Sequence, residues 1–162
     1  MSLGSNRGDS PGLIAAAIRA LEGRLGPLRV ASLYRSEPVS DVPQGPFLNT
    51  VVVGRGAASP EELLALAKGI EASLGRRPGP RNGPREIDVD LLVVGDQVRE
   101  GPELRLPHPR MRERRFVLAP LAEVAPDLGI PPDGATAPEL LCRLADRPWV
   151  ERLDGPSPAG AG

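Results

Sequence analysis

Apolar side chains recur at helical spacing in two stretches of the first half of the chain. Ile14, Ile18, Leu21 and Leu25 form one helical stripe, and Ser10 followed by Pro11 supplies an N-cap with proline at the first helical position. A helix is therefore predicted over residues 11–24. Ser59-Pro60-Glu61-Glu62 is a capping box, and the helix it opens runs through Leu63, Leu64, Leu66, Ala67, Ile70 and Leu74 to a stop at Gly75. Residues 28–35 and 47–55 read as strands. Residues 86–94 give the clearest strand, closed by Gly95-Asp96.

Two loops separate these elements. Residues 37–46 carry Pro38, Pro43, Pro46 and the Gln44-Gly45 pair, and residues 76–84 are an Arg/Gly/Pro stretch without periodicity. Further helical segments are predicted around residues 110–124 and 138–146. The tail, residues 155–162, has the composition of disorder, so one domain over residues 1–154 is expected. The order strand, helix, strand, strand, helix, strand predicts an α+β fold. Its form is a ferredoxin-like antiparallel sheet with helices packed on one face, plus C-terminal helical additions.

Within the strand at 86–94, alternation puts Ile87, Val89, Leu91 and Val93 on one face and Asp88, Asp90, Leu92 and Val94 on the other. The Cα atoms of Asp88 and Asp90 are then about 6.5 Å apart. Two carboxylates at that separation repel by about 2–3 kcal/mol at an effective dielectric near 20, and nothing in the strand compensates. Two readings of the pair are open: a solvated face with screened charges, or a metal site. The surroundings favour the second, because an arginine-rich loop leads into an otherwise apolar strand. Hard cations take oxygen ligands, Mg²⁺ uses one or two carboxylates plus substrate phosphates, and guanidinium groups bind phosphate oxygens bidentately. No Gly-x-x-x-x-Gly-Lys-Ser/Thr loop is present.

Composition narrows the choice of ligand. Net charge is -1, which argues against non-specific nucleic-acid or membrane binding. The charge is nonetheless local: residues 76–85 hold four arginines and no acid, and residues 105–115 hold five arginines against Glu113. Such stretches suit a compact anionic ligand. The one cysteine, Cys142, sits in an apolar run with Leu140, Leu141 and Leu144 and is expected in the core. No stretch has the length and apolarity of a membrane span, and a cytoplasmic protein is expected. Aromatic residues are few: Tyr34, Phe47, Phe116 and Trp149.

Arg81-Asn82-Gly83-Pro84-Arg85-Glu86-Ile87-Asp88-Val89-Asp90-Leu91-Leu92 resembles the signature of the 6-hydroxymethyl-7,8-dihydropterin pyrophosphokinases of folate biosynthesis. Four other parts of the chain resemble that family in its order. They are Leu3-Gly4-Ser5-Asn6-Arg7-Gly8-Asp9, Tyr34-Arg35-Ser36-Glu37-Pro38 with Pro46-Phe47-Leu48-Asn49, Leu106-Pro107-His108-Pro109-Arg110-Met111, and Arg114-Arg115-Phe116-Val117-Leu118-Ala119-Pro120-Leu121.

The resemblance implies transfer of pyrophosphate from ATP to the pterin alcohol, giving the pterin diphosphate and AMP. It implies that Asp88 and Asp90 hold two Mg²⁺ ions. Arg76, Arg85, Leu91, His108 and Arg114 would contact ATP, with Arg76, Arg85, Asp88, Asp90 and Arg114 as the catalytic set. Ser36, Phe47, Asn49 and Phe116 would bind the pterin, its ring stacked between the two phenylalanines. The partners expected are small molecules alone, with no nucleic acid and no membrane, and a monomer. Loops 37–46 and 76–84 would close over the substrates. Asn82 stands where some members carry Trp, which removes one stacking contact. In the family the Gly-Ser-Asn turn follows an apolar first strand, whereas only Met1, Ser2 and Leu3 precede Gly4 here. That strand is expected to be a stub that leaves its neighbours short of partners, with a start upstream of Met1 favoured.

Two other classes compete. An RNA-binding ferredoxin-like module would stack bases on sheet aromatics, for which Phe47 alone is placed, and the acidic strand would repel RNA. A ligand-sensing module accounts for the fold and leaves Asp88 and Asp90 unexplained.

Overall fold

The first strand, β1 (Ser2–Ser5), is short and central: it pairs antiparallel with β4 (Phe47–Val53) on one side and β5 (Asp88–Asp90) on the other. The computed structural model describes residues 1–160 of the 162. Helix α1 (Ser10–Leu25) connects β1 to a second strand in two pieces, β2 (Arg29–Val30) and β3 (Tyr34–Ser36). Helix α2 (Pro60–Ser73) connects β4 to β5. A small hairpin, β6 (Arg99–Glu100) with β7 (Arg105–Leu106), precedes a 3-10 turn at Met111–Glu113. Then come α3 (Arg115–Val124), α4 (Ala137–Leu141) and β8 (Val150–Arg152). The sheet order is β5-β1-β4-β3-β8, with β2 beside β4. Its first four positions are the fourth, first, third and second strands of a ferredoxin-like unit, and β8 extends that sheet at the β3 edge.

Alternation along the strands gives the sheet two different faces. Leu3, Val52, Ile87, Val89 and Leu91 face α1 and α2, where Ile14, Ile18 and Leu21 are fully buried. Burying each of those side chains contributes about 1.5–3 kcal/mol. Val51 and Leu92 face the other way, onto Met111, Val117, Leu118 and Leu121 of the C-terminal helical additions. The two crossover helices share one face, as expected, and α3 covers part of the opposite one. Its uncovered part carries the polar positions described below.

Several local expectations shift for identifiable reasons. The capping box of α2 forms with both of its hydrogen bonds. In α1 the cap moves one residue back: Asp9 accepts from the Gly12 N–H, while the Ser10 hydroxyl is buried and accepts a 2.8 Å bond from Ser5. The strand expected over 28–35 breaks at Ser32, whose N–H and hydroxyl both turn to the Glu123 carboxylate on α3. Glu123 also accepts from the Tyr34 hydroxyl at 2.6 Å, so it ties α3 across the break.

The strand expected over 86–94 pairs only from Asp88 to Asp90, because Asp90 lies opposite Ser2, where β1 begins. Beyond it the Leu92 carbonyl accepts from the His108 N–H at 2.8 Å. The alternation slips there: Val93 packs with the α3 side and Val94 with the α1/α2 side. Leu91 and Leu92 are buried all the same, so the apolar stripe is not left uncovered.

Cys142, expected in the core, is exposed. Helix α4 ends at Leu141 and buries Leu140, so the next residue turns outward. In the tail, where disorder is expected, Pro158–Gly160 instead forms a 3-10 turn against α1 with Pro158 buried, and residues 161–162 lie outside the described residues. No helix among the described residues is long and apolar enough to cross a membrane.

Candidate active site

The polar positions of the sheet converge because register lines them up. Asn49 lies beside Gly4, and Gly4 beside Asp88; Ser2 stands beside Asp90, and Ser36 beside Phe47. All point to the face that α3 half covers. There they line a cavity of about 400 Å³ together with Arg76, Arg85, His108, Arg114 and Phe116. Ten of the eleven residues expected at the site therefore meet in one place. Leu91 does not: its side chain faces α1 and α2 in the core, one position out of phase with the two aspartates. Gly4 allows a close approach, since a Cβ there would sit 3.1 Å from Asn49 Oδ1 and press on it. Asn49 and Ser36 are both buried and joined by a 2.7 Å bond from Asn49 Nδ2 to Ser36 Oγ.

One end of the cavity is electrostatically loaded. Arg76 Nη1 lies 2.8 Å from Asp88 Oδ1, and Arg85 Nε lies 3.4 Å from Asp88 Oδ2. Even so, the Asp88 carboxyl is pushed up to about 6, by burial first and Asp90 second, against the opposing pull of the two arginines. Burial and the neighbouring Asp90 charge together make the ionised form of Asp88 costly. Asp90 has no ion pair among the described residues. His108 is held below its ordinary value, mainly by burial, with Arg114 and Arg110 adding to the effect and Asp90 opposing it. Its Nδ1 accepts from the Arg110 N–H at 3.2 Å, which leaves Nε2–H as the donor of a neutral ring. Arg114 is half-buried, its proton weakened by burial first and Arg110 second, with its guanidinium 5.4 Å from the centre of the Phe116 ring.

Three contributors were not singled out from the sequence. Glu71 of α2 is almost fully buried, accepts the Val89 N–H at 2.9 Å and lies 2.6 Å from Arg76 Nη1. It thus anchors Arg76 between helix and strand. Its signal was a lone acid on the buried face of α2, between Ile70 and Leu74. Asn6 joins the two loops: its Nδ2 donates to Gln44 Oε1 and the Gly45 carbonyl, and its Oδ1 accepts from the Arg85 N–H at 2.9 Å. Gln44 donates onward to the Asn82 carbonyl at 2.8 Å, and Asn82 lines the cavity at a positive φ of 58°, a conformation Asn tolerates. Arg110, in the second arginine cluster, also lines the cavity. Arg112, by contrast, is taken up by Asp133 and the Ile130 and Pro131 carbonyls.

Chemically, the cavity sets carboxylates and guanidinium groups at one end, and aromatic faces with a buried amide at the other. Asp88 and Asp90 are the groups able to offer oxygen to a metal, and no cluster of three or more His, Cys, Asp or Glu able to hold a metal ion occurs among the described residues. Two carboxylates suit a cation that brings phosphate and water as its remaining ligands.

Comparison with known proteins points the same way. The sequence model of the family described as 7,8-dihydro-6-hydroxymethylpterin-pyrophosphokinase matches residues 1–126. The chain is 40% identical over 158 residues to the 2-amino-4-hydroxy-6-hydroxymethyldihydropteridine pyrophosphokinase of Pseudomonas aeruginosa, covering 96% of each chain. It is 43% identical over 158 residues to the protein of the same name from Methylorubrum extorquens, covering 95% of this chain and 97% of that one. With the Bacillus subtilis protein of that name it is 41% identical over 126 residues, 76% of this chain and 75% of the relative.

Proposed function

The chain belongs to the 7,8-dihydro-6-hydroxymethylpterin-pyrophosphokinase family, and from that membership and the cavity together we propose how its residues divide the work. The reaction is pyrophosphoryl transfer from ATP to hydroxymethyldihydropterin in folate biosynthesis. The pterin hydroxymethyl oxygen forms a bond to the β-phosphorus, the bond from that phosphorus to the α,β-bridging oxygen breaks, AMP leaves, and the hydroxyl proton is lost. Asp88 and Asp90 would hold two Mg²⁺ ions, which would supply positive charge to neutralise the polyphosphate and polarise the reacting oxygens. The raised Asp88 carboxyl supports this assignment, since a bound cation would offset the cost that burial first and Asp90 second place on its ionised form.

Arg76, Arg85 and Arg114 bind phosphate oxygens and stabilise the charge that shifts during transfer. Arg76 is already aimed by Glu71 and Asp88, so little reorganisation is needed when phosphate arrives. The neutral His108 donates from Nε2 to a phosphate oxygen. At the other end, Phe47 and Phe116 stack the pterin, and Asn49, held by Ser36, hydrogen-bonds its edge. Loops 37–46 and 76–84, linked through Asn6, Gln44 and Asn82, exclude water that would otherwise consume ATP. We take the whole set to be carried by a single domain over residues 1–154, acting on small molecules as a cytoplasmic monomer.

The observation that carries this reading is the convergence of both aspartates, the arginines and both phenylalanines on one cavity. With Mg-ATP and 6-hydroxymethyl-7,8-dihydropterin, AMP should appear in step with the pterin diphosphate. ADP as product, or nucleotide turnover independent of pterin, would sink it.

The two subsites should also separate by mutation. Phe116→Ala is expected to weaken pterin binding by about 1–3 kcal/mol through lost burial and stacking, with binary ATP affinity nearly unchanged. Arg114→Ala should mainly lower turnover. Calorimetric titration of each ligand checks both, and equal effects of both changes on both ligands would contradict two subsites.

A further inference from the structure

The family match ends at residue 126, but the wall of the cavity does not. Pro148 and Val150 line it, and Val150 belongs to β8, where it lies opposite Ser36 of β3. Three contacts at the start of β8 converge on Glu37, the first residue of loop 37–46. Arg147 Nη1 donates to both Glu37 carboxylate oxygens, at 3.0 and 3.1 Å. The Trp149 N–H donates to Glu37 Oε2 at 3.1 Å, and the Glu37 N–H returns a 3.1 Å bond to the Trp149 carbonyl. The Arg35 guanidinium lies over the Trp149 ring, 5.8 Å from its centre. The Trp149 N–H first, and Arg147 after it, hold the Glu37 carboxyl below the usual carboxylate range, so it is charged at neutral pH.

We propose that the Glu37–Arg147 pair positions the pterin: it fastens the root of loop 37–46 to the C-terminal strand and so sets Ser36, Val39, Pro148 and Val150 as one wall of the ring pocket. This rests on the pterin reading of that end of the cavity. The pair contributes little to fold stability, because the Arg147 side chain is 74% exposed and solvent screens it. Its effect lies in pre-organisation. A loop root already fixed before binding need not be ordered by the ligand, and that cost otherwise falls on ligand affinity alone. The Asp88 and Asp90 end is held by other contacts, through Glu71 and Arg85, and does not depend on the pair.

The test is the affinity for 6-hydroxymethyl-7,8-dihydropterin, measured by titration in the presence of a non-hydrolysable Mg-ATP analogue, for Arg147→Ala, Glu37→Gln and Arg147→Lys. Arg147→Ala and Glu37→Gln should weaken pterin binding about threefold to tenfold, with analogue affinity and melting temperature unchanged. Arg147→Lys, which keeps the charge, should recover most of the loss. Unchanged pterin affinity in Arg147→Ala overturns the proposal, and so does a loss shared equally by the ATP analogue or one that follows the melting temperature. Failure of the unaltered protein to make AMP from pterin and ATP is a separate result, and would overturn the function instead.

Discussion

Asp90→Asn lowers turnover by about 10²- to 10³-fold while leaving the protein folded and slightly more stable. The expectation follows from the imbalance in the site. Asp90 has no ion pair among the described residues, yet it is second only to burial in raising the Asp88 carboxyl. Removing its charge relieves that repulsion and breaks no salt bridge. Asp88→Asn should lose turnover comparably. It gives up contacts to Arg76 and Arg85, but Arg76 keeps its 2.6 Å contact with Glu71, so the fold should survive this change as well. Turnover at saturating Mg-ATP and pterin, read beside equilibrium unfolding, checks both variants. Near-normal turnover at ordinary magnesium would move the metal role elsewhere, and a variant that unfolds would make the aspartates structural.

The stability of the chain beginning at Met1 should rise as pH increases from about 5 to 8, because folding encloses its terminal ammonium. Met1 as a whole is half-buried, but its amino group donates to the Val52 carbonyl at 3.0 Å inside the sheet. Burial lowers that group from 8.0 to about 5, opposed by Asp90. The sign follows from proton counting. Between those values the unfolded chain holds the proton and the folded chain does not, so stability is lost as pH falls through that window. A shift of about three pK units corresponds to at most about 4 kcal/mol.

Adding four residues of alternating Val/Ile pattern ahead of Met1 removes the ammonium and lengthens β1 beside Leu91. The extended chain should therefore lose this pH slope and melt higher, two newly buried apolar side chains adding about 3–6 kcal/mol. Asp88 titrates in the same window in both chains, so the difference between the two unfolding curves isolates the terminus. Identical pH slopes and melting temperatures would show that the sheet is indifferent to it.

The site was legible in the sequence wherever a residue's role depends on local spacing. Asp88 and Asp90 share a face because two residues on a strand must. The two phenylalanines were singled out by the family resemblance, with which a flat ligand's need for aromatic faces agrees in a chain that has few to offer. Glu71 and Asn6 were not legible in this way. Glu71 is paired with Lys68, Arg76 and the Val89 N–H, the last 18 positions away, and the partners of Asn6 are Gln44, Gly45 and Arg85, 38 or more positions away. Leu91 stands next to Asp90 in sequence, and alternation sends its side chain to the other face.

What the sequence by itself determined was element type and face. Helical periodicity, the Ser59 capping box and the alternation at residues 87–91 are set by interactions within a few residues, so they survive in any tertiary context. Only the tertiary structure decided lengths and junctions. A strand lasts as long as its neighbour, so β5 stops at Asp90, where β1 begins opposite it at Ser2. The second strand breaks where Glu123 of α3 captures the Ser32 N–H. The C-terminal strand reaches the cavity because β3 has a free edge for it. Such outcomes depend on which unpaired backbone groups meet after the chain has collapsed.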